Sequence, residues 1–87
     1  MTKYCYAEEM YKLCYKMSQI LKVLGEHKLS RFYNAAADGF IYRQKILSVR
    51  DANKPASKEM VQDLHDLTKY LKKKEALANE KLDKEAI

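Results

Sequence analysis

With 87 residues, of which 47% are apolar, the chain is long enough for one small core, too short for two, and too apolar to be disordered throughout. Two glycines and one proline leave few places to turn, which excludes a sandwich or barrel of many short strands and favours a few long helices. The net charge of +5 points toward acidic partners, and no uncharged apolar segment approaches the roughly twenty residues that a bilayer span requires.

At the amino terminus Glu8 and Glu9 interrupt any apolar run of the secretory type, so no export is expected. Tyr6, Met10, Leu13, Met17, Ile20 and Leu24 recur at alternating intervals of four and three, which places them on one stripe of an α-helix. Ala7, Cys14 and Leu21 widen that stripe. The spacing predicts a helix over about 3–24. Cys5 and Cys14 fall on nearly opposite sides of it and cannot bridge, so reduced thiols in a cytoplasmic protein are expected.

Gly25 follows the stripe where a left-handed cap is wanted, and Glu26, His27 and Lys28 supply a polar turn. Leu29, Tyr33, Ala36, Phe40 and Leu47 share the next helical face, with Phe32 beside them, and predict a second helix over about 29–50. Asp38-Gly39 is its weak point, where a break would make four helices in place of three. Asp51-Ala52-Asn53-Lys54-Pro55 marks the second turn, and Ser57 is placed to cap a third helix over about 57–85. Met60, Leu64, Leu67 and Leu71 form its stripe, which weakens through Ala78 and Leu82.

Short connections make consecutive helices antiparallel, so the expected fold is all-α: an up-down-up bundle of three or four helices in a single domain. Tyr6 should lie level with Leu47 and Met60, Leu13 with Phe40 and Leu67, Met17 with Ala36 and Leu71, and Leu24 with Leu29 and Ala78. Residues after about 80 then overhang the bundle.

No reactive groups converge at a recognisable spacing. His65 stands between Asp63 and Asp66 but not three or four residues from either, as ligands on one helix face would be. No catalytic, cofactor or metal site is therefore expected. The basic excess is uneven: residues 1–28 carry five basic against three acidic side chains, 29–54 five against two, and the remainder seven against seven. On the second helix Arg43, Arg50 and Lys54 should share one side, where guanidinium groups suit carboxylate or phosphate. Lys72-Lys73-Lys74 reads as exposed helix.

The aromatic signal is sharper, because tryptophan is absent while four of the seven tyrosines precede residue 16. Tyr4, Tyr11 and Tyr15 share a row that runs on through Ser18 to Lys22, away from the core stripe. Tyrosine there suits a protein interface or stacking on bases. After Gly39 the apolar residues Ile41, Tyr42, Ile46, Leu47 and Val49 go nearly all the way round the helix, as in one covered on two sides.

Phe32-Tyr33-Asn34-Ala35-Ala36-Ala37-Asp38 resembles a short stretch of the small haemolysin-expression modulators of enteric bacteria. The likeness needs an extra alanine and fails on both sides, so no family follows from it. In size, basic charge and helical hairpins the chain is similar to the cytoplasmic immunity proteins of bacteriocin producers, with no shared motif. The residues predict a non-enzymatic interaction module that binds another protein with an acidic surface, or a second copy of itself, through Tyr4, Tyr11, Tyr15, Lys22, Tyr42, Arg43, Ile46 and Arg50. Nucleic-acid binding through the same residues is the alternative.

Overall fold

Thr2 lies outside helical geometry, and its hydroxyl accepts a hydrogen bond from the Cys5 amide at 3.1 Å, so the chain enters a helix at once. In the computed structural model, which describes residues 1–86, this helix is α1, Lys3–Val23. Gly25 ends it at φ +78, a backbone conformation that a side chain disfavours. The Glu26 amide donates back to the Leu21 carbonyl at 2.9 Å and the Gly25 amide to the Lys22 carbonyl at 3.1 Å. These two bonds are a Schellman cap, and they satisfy carbonyls that the end of α1 would otherwise leave bare.

The turn uses only Leu24, Gly25 and Glu26, so α2 spans His27–Ile46 and starts earlier than the apolar spacing implied. It passes through Gly39 unbroken. The break comes instead at Leu47 and Ser48, both extended. Ser48 caps a single turn, α3, Val49–Ala52, by accepting from the Asp51 amide at 3.1 Å. The Ser48-Val49-Arg50-Asp51 spacing of a capping box offers the backbone a new helix start, which competes with continuing α2. The fourth helix therefore arises here and not at Gly39. After Pro55, Ser57 caps α4, Lys58–Glu85, by accepting from the Met60 amide at 3.1 Å.

α1 is the central element, packed against both α2 and α4, whereas α2 and α4 scarcely meet. Met17, Leu21 and Leu71 form the centre of the core, with Leu13, Ile20, Tyr33, Leu67 and Tyr70 packed around them. The seam between α1 and α2 is built from small residues: Ala7, Cys14 and Ser18 on α1, and Ser30 and Ala37 on α2, all buried. The Ser30 hydroxyl donates to the Ser18 carbonyl at 2.7 Å and lies 3.1 Å from the Ser18 hydroxyl.

Tyr6, Leu47 and Met60 meet at one end, and Leu13 with Leu67 and Met17 with Leu71 share the core, as the layers anticipated. Phe40 departs from its layer: its ring stands edge-on to Tyr6 at 6.0 Å and not beside Leu13. Tyr6 precedes Leu13 by seven residues, so Phe40 sits about two helical turns from its anticipated level. The amino terminus is tied to the α3–α4 connection, with Lys3 N–H donating to Lys54 C=O at 2.8 Å and Ala56 N–H to Met1 C=O at 2.9 Å.

The molecule measures 53 × 21 × 17 Å. Residues 82–86 are exposed and overhang the bundle. Lys81 anchors the last covered turn by donating from Nζ to the Val23 carbonyl at 2.7 Å. None of the described helices is long and apolar enough to cross a membrane.

Candidate interaction surface

Tyr4, Tyr11, Tyr15 and Lys22 occupy one flank of α1, because intervals of seven and four return nearly to the same side of a helix. Tyr4 is 45% exposed and Tyr15 54%, while Tyr11 is half-buried. The row is not wholly clear of the core. Ser18, which belongs to it, is buried against Ser30, so α2 crosses the row midway. The outcome is a shallow polar groove of about 300 Å³ whose floor is the serine pair and whose walls carry Tyr15, Lys22, Arg31 and Asn34. Neither Lys22 nor Arg31 has an ion-pair partner among the described residues.

Tyr42, 65% exposed, lies on the same side of α2 as Arg31, since eleven residues are close to three whole helical turns. It therefore joins the tyrosine flank. Arg43, one position further round, does not. Its guanidinium lies over the Phe40 ring, 5.2 Å from the centroid, beside a small apolar pocket of about 100 Å³ bordered by Tyr6, Leu47 and Met60.

Arg50 is also separated from Arg43. The two would share a side only on one continuous helix, and the extended residues Leu47 and Ser48 place Arg50 on α3 instead. Lys54 turns back to Asp51 at 3.0 Å, which holds the Asp51 carboxyl below the usual carboxylate range, helped by a hydrogen bond with Ser48. Ile46, 63% exposed, and Val49, 82% exposed, project from the corner between α2 and α3. Five of the eight residues picked from the sequence thus share the α1/α2 flank, Arg43 and Arg50 lie elsewhere, and Ile46, one turn beyond Tyr42, ends α2.

Arg31 and Asn34 belong to the flank and were missed. Antiparallel pairing of two helices about Gly25 places them beside Lys22 and Ser18, a signal available once the turn is located. Lys74 departs from the exposed triple lysine, since Lys72 and Lys73 are exposed and Lys74 is half-buried. Its ammonium donates to Glu26 Oε2 at 2.9 Å and sits over the Tyr70 ring at 5.6 Å, joining α4 to the α1–α2 turn. The hydrogen bond to Glu26 raises its pKa above the ordinary lysine value.

Three groups, Tyr6 and Cys14 buried and Tyr33 half-buried, hold their protons more firmly than free side chains do. Burial raises the Tyr6 hydroxyl, with Asp63 adding to the rise and Arg43 opposing it. Burial also raises Tyr33 and the Cys14 thiol. His65, Asp63 and Asp66 are exposed, and Asp66 accepts from Gln62 Nε2 at 2.9 Å. No three His, Cys, Asp or Glu side chains converge among the described residues. No protein-family model, curated protein or solved structure matches the chain.

Proposed function

We propose that the protein is a non-enzymatic interaction module of the cytoplasm, an adaptor, regulator or inhibitor, whose protein partner offers an acidic surface to the α1/α2 flank. The observation that carries this reading is the grouping of three well-exposed tyrosine rings, Tyr4, Tyr15 and Tyr42, on the flank that also holds the unpaired cations Lys22 and Arg31. Tyrosine supplies large contact area at small conformational cost, and unpaired cations steer an acidic partner toward it.

Tyr15→Ala combined with Tyr42→Ala tests the reading, because both rings are more than half exposed and their loss leaves the helices intact. Partner capture from the native host should disappear while circular dichroism stays unchanged. Undiminished capture would overturn the proposal. The same cations beside Tyr15 also support a second reading, single-stranded nucleic acid stacked on tyrosine. That reading requires affinity for arbitrary DNA or RNA that falls steeply from low to moderate salt; a flat response removes it.

A further inference from the structure

The groove between α1 and α2 is lined by side chains of one electrostatic character. Lys22 and Arg31 supply two positive charges, Gln19 and Asn34 two amides and Tyr15 a phenol, and no Asp or Glu borders it among the described residues. Its serine floor is already satisfied: the Ser30 hydroxyl donates to the Ser18 carbonyl at 2.7 Å, which leaves the Ser18 hydroxyl to donate to Ser30 Oγ at 3.1 Å. The walls are therefore the part free to hold a ligand.

The acids closest in sequence do not neutralise these cations. Glu26, four residues from Lys22, is held by Lys74 at 2.9 Å, and Asp38 stands two turns beyond Arg31 on the same side of α2, outside the groove. The contact of Ser18 with Ser30 fixes the order along the groove. Lys22 stands about one turn nearer Gly25 than the serine pair, Arg31 beside the pair, and Tyr15 and Asn34 about one turn toward the other end. The cations share one end, and the ring lies at the other.

That order fits an anion on an aromatic carrier. A phosphate monoester has a charge of about −1.5 to −2 at neutral pH and three acceptor oxygens, so two cations match it: the guanidinium fork takes two oxygens and the ammonium the third. A carboxylate, with one charge, leaves one cation unmatched. The groove of about 300 Å³ exceeds the roughly 150 Å³ that encloses a benzene ring, which leaves room for a phosphate and a ring together. Asp38, beyond the far end, repels the anion toward Lys22 and Arg31.

We propose that this groove binds an aryl phosphate monoester, borne by a phosphorylated tyrosine of the protein partner, with the phosphate between Lys22 and Arg31 and the ring along Tyr15. The inference rests on the reading of the flank as a partner surface and names the group that the surface takes.

The probe is phenyl phosphate, titrated into the full chain near neutral pH and followed by backbone amide shifts, which should saturate as a single site centred on Ser18, Lys22 and Arg31. Lys22→Gln and Arg31→Gln should each weaken binding roughly tenfold or more, the loss expected of one charge-assisted hydrogen bond. Lys69→Gln, which removes the same charge from α4 away from the groove, should leave binding unchanged. All three side chains are exposed, so helicity should stay as it is. Phenyl sulfate, alike in shape with less charge, should bind roughly tenfold more weakly than phenyl phosphate. The proposal is overturned by shifts that do not saturate, by equal binding of phenyl sulfate, by Lys69→Gln proving as damaging as Arg31→Gln, or by tighter binding of single-stranded oligothymidylate than of phenyl phosphate. Partner capture separates this inference from the reading beneath it. Capture lost on Tyr15→Ala with Tyr42→Ala but kept on Lys22→Gln with Arg31→Gln overturns the phosphate and leaves the partner surface standing. Saturable binding of phenyl phosphate with capture indifferent to both pairs overturns the partner surface and, with it, the partner as the source of the phosphate.

Discussion

α2 presents two different packing surfaces. Toward α1 it offers Ser30 and Ala37, exposed to only 4% and 1%, which let the two helices approach closely along their length. Its large apolar residues Leu29, Phe32, Tyr33 and Phe40 lie outside that seam, none of them buried. The large apolar residues, which a hydropathy pattern ranks as core, are thus the less buried set, and small ones are sealed in the seam. Close approach depends on what the side chains leave out, while the amount of area that can still be covered depends on what they contribute.

Leu21→Ala should break the fold at the place the two sides share. Leu21 is fully buried and packs with Met17 and Leu71, so its truncation removes contacts toward both neighbours of α1. A loss of about 2–5 kcal/mol is expected, a large part of the whole stability of a domain this small. Phe32→Ala on the open side should change the stability of the single chain by less than about 0.5 kcal/mol. Urea unfolding of both variants, at a concentration where the parent is monomeric, checks the contrast.

Ala37→Leu sharpens it. A larger side chain in the closed seam must push α2 away from α1, at about 1–3 kcal/mol, although leucine is the better apolar residue. If Ala37→Leu is neutral or stabilising, the seam is not closely packed and the two sides of α2 do not differ as described.

Much of the fold was legible because long periodic stripes dominate it. The residues of α1, the Gly25 cap and the Ser57 cap follow from spacing and turn chemistry alone. The end of α2 did not, because the apolar pattern runs on past Ile46 through Leu47 and Val49, whereas the competing cap at Ser48 ends a helix that tolerates Gly39. The seam was hidden for a different reason: serine, alanine and cysteine carry little hydropathy signal. Of the candidate surface, the exposure of Tyr4 and Tyr15 was legible, whereas the crossing of their row by α2 at Ser18 was not. Its junction with Arg31 and Asn34 required the interhelical register, and Lys74 required knowing that Glu26 lies beside it.

The two glycines should respond with opposite signs. Gly39 lies inside α2 with nothing within 4 Å of an added Cβ, so Gly39→Ala should stabilise by about 0.5–1 kcal/mol. Gly25 also has open space, but its φ of +78 strains any side chain, so Gly25→Ala should destabilise by about 1 kcal/mol and loosen the turn that sets the register of the seam. Thermal melts of the two variants should move in opposite directions. Equal shifts would mean that the left-handed cap does not govern how α2 meets α1.

Alkaline titration should produce the smallest effect and report on both sides at once. Burial raises Cys14 in the seam, and Tyr33 beside the core, above their ordinary values of 9.0 and 10.0. For each group the folded chain holds its proton more tightly than the unfolded chain. Stability is therefore full below the ordinary value and declines as pH rises through the folded one. The decline should begin near pH 9 with Cys14 and continue from about pH 10 with Tyr33, Tyr6 and Lys74. Cys14→Ala should remove the first part and leave the second. A thiol reagent provides the matching readout in the native protein: Cys5, exposed, should react at once, and Cys14, 2% exposed, only as fast as the seam opens. If Cys14 reacts as quickly as Cys5 below pH 9, the α1/α2 seam is not closed.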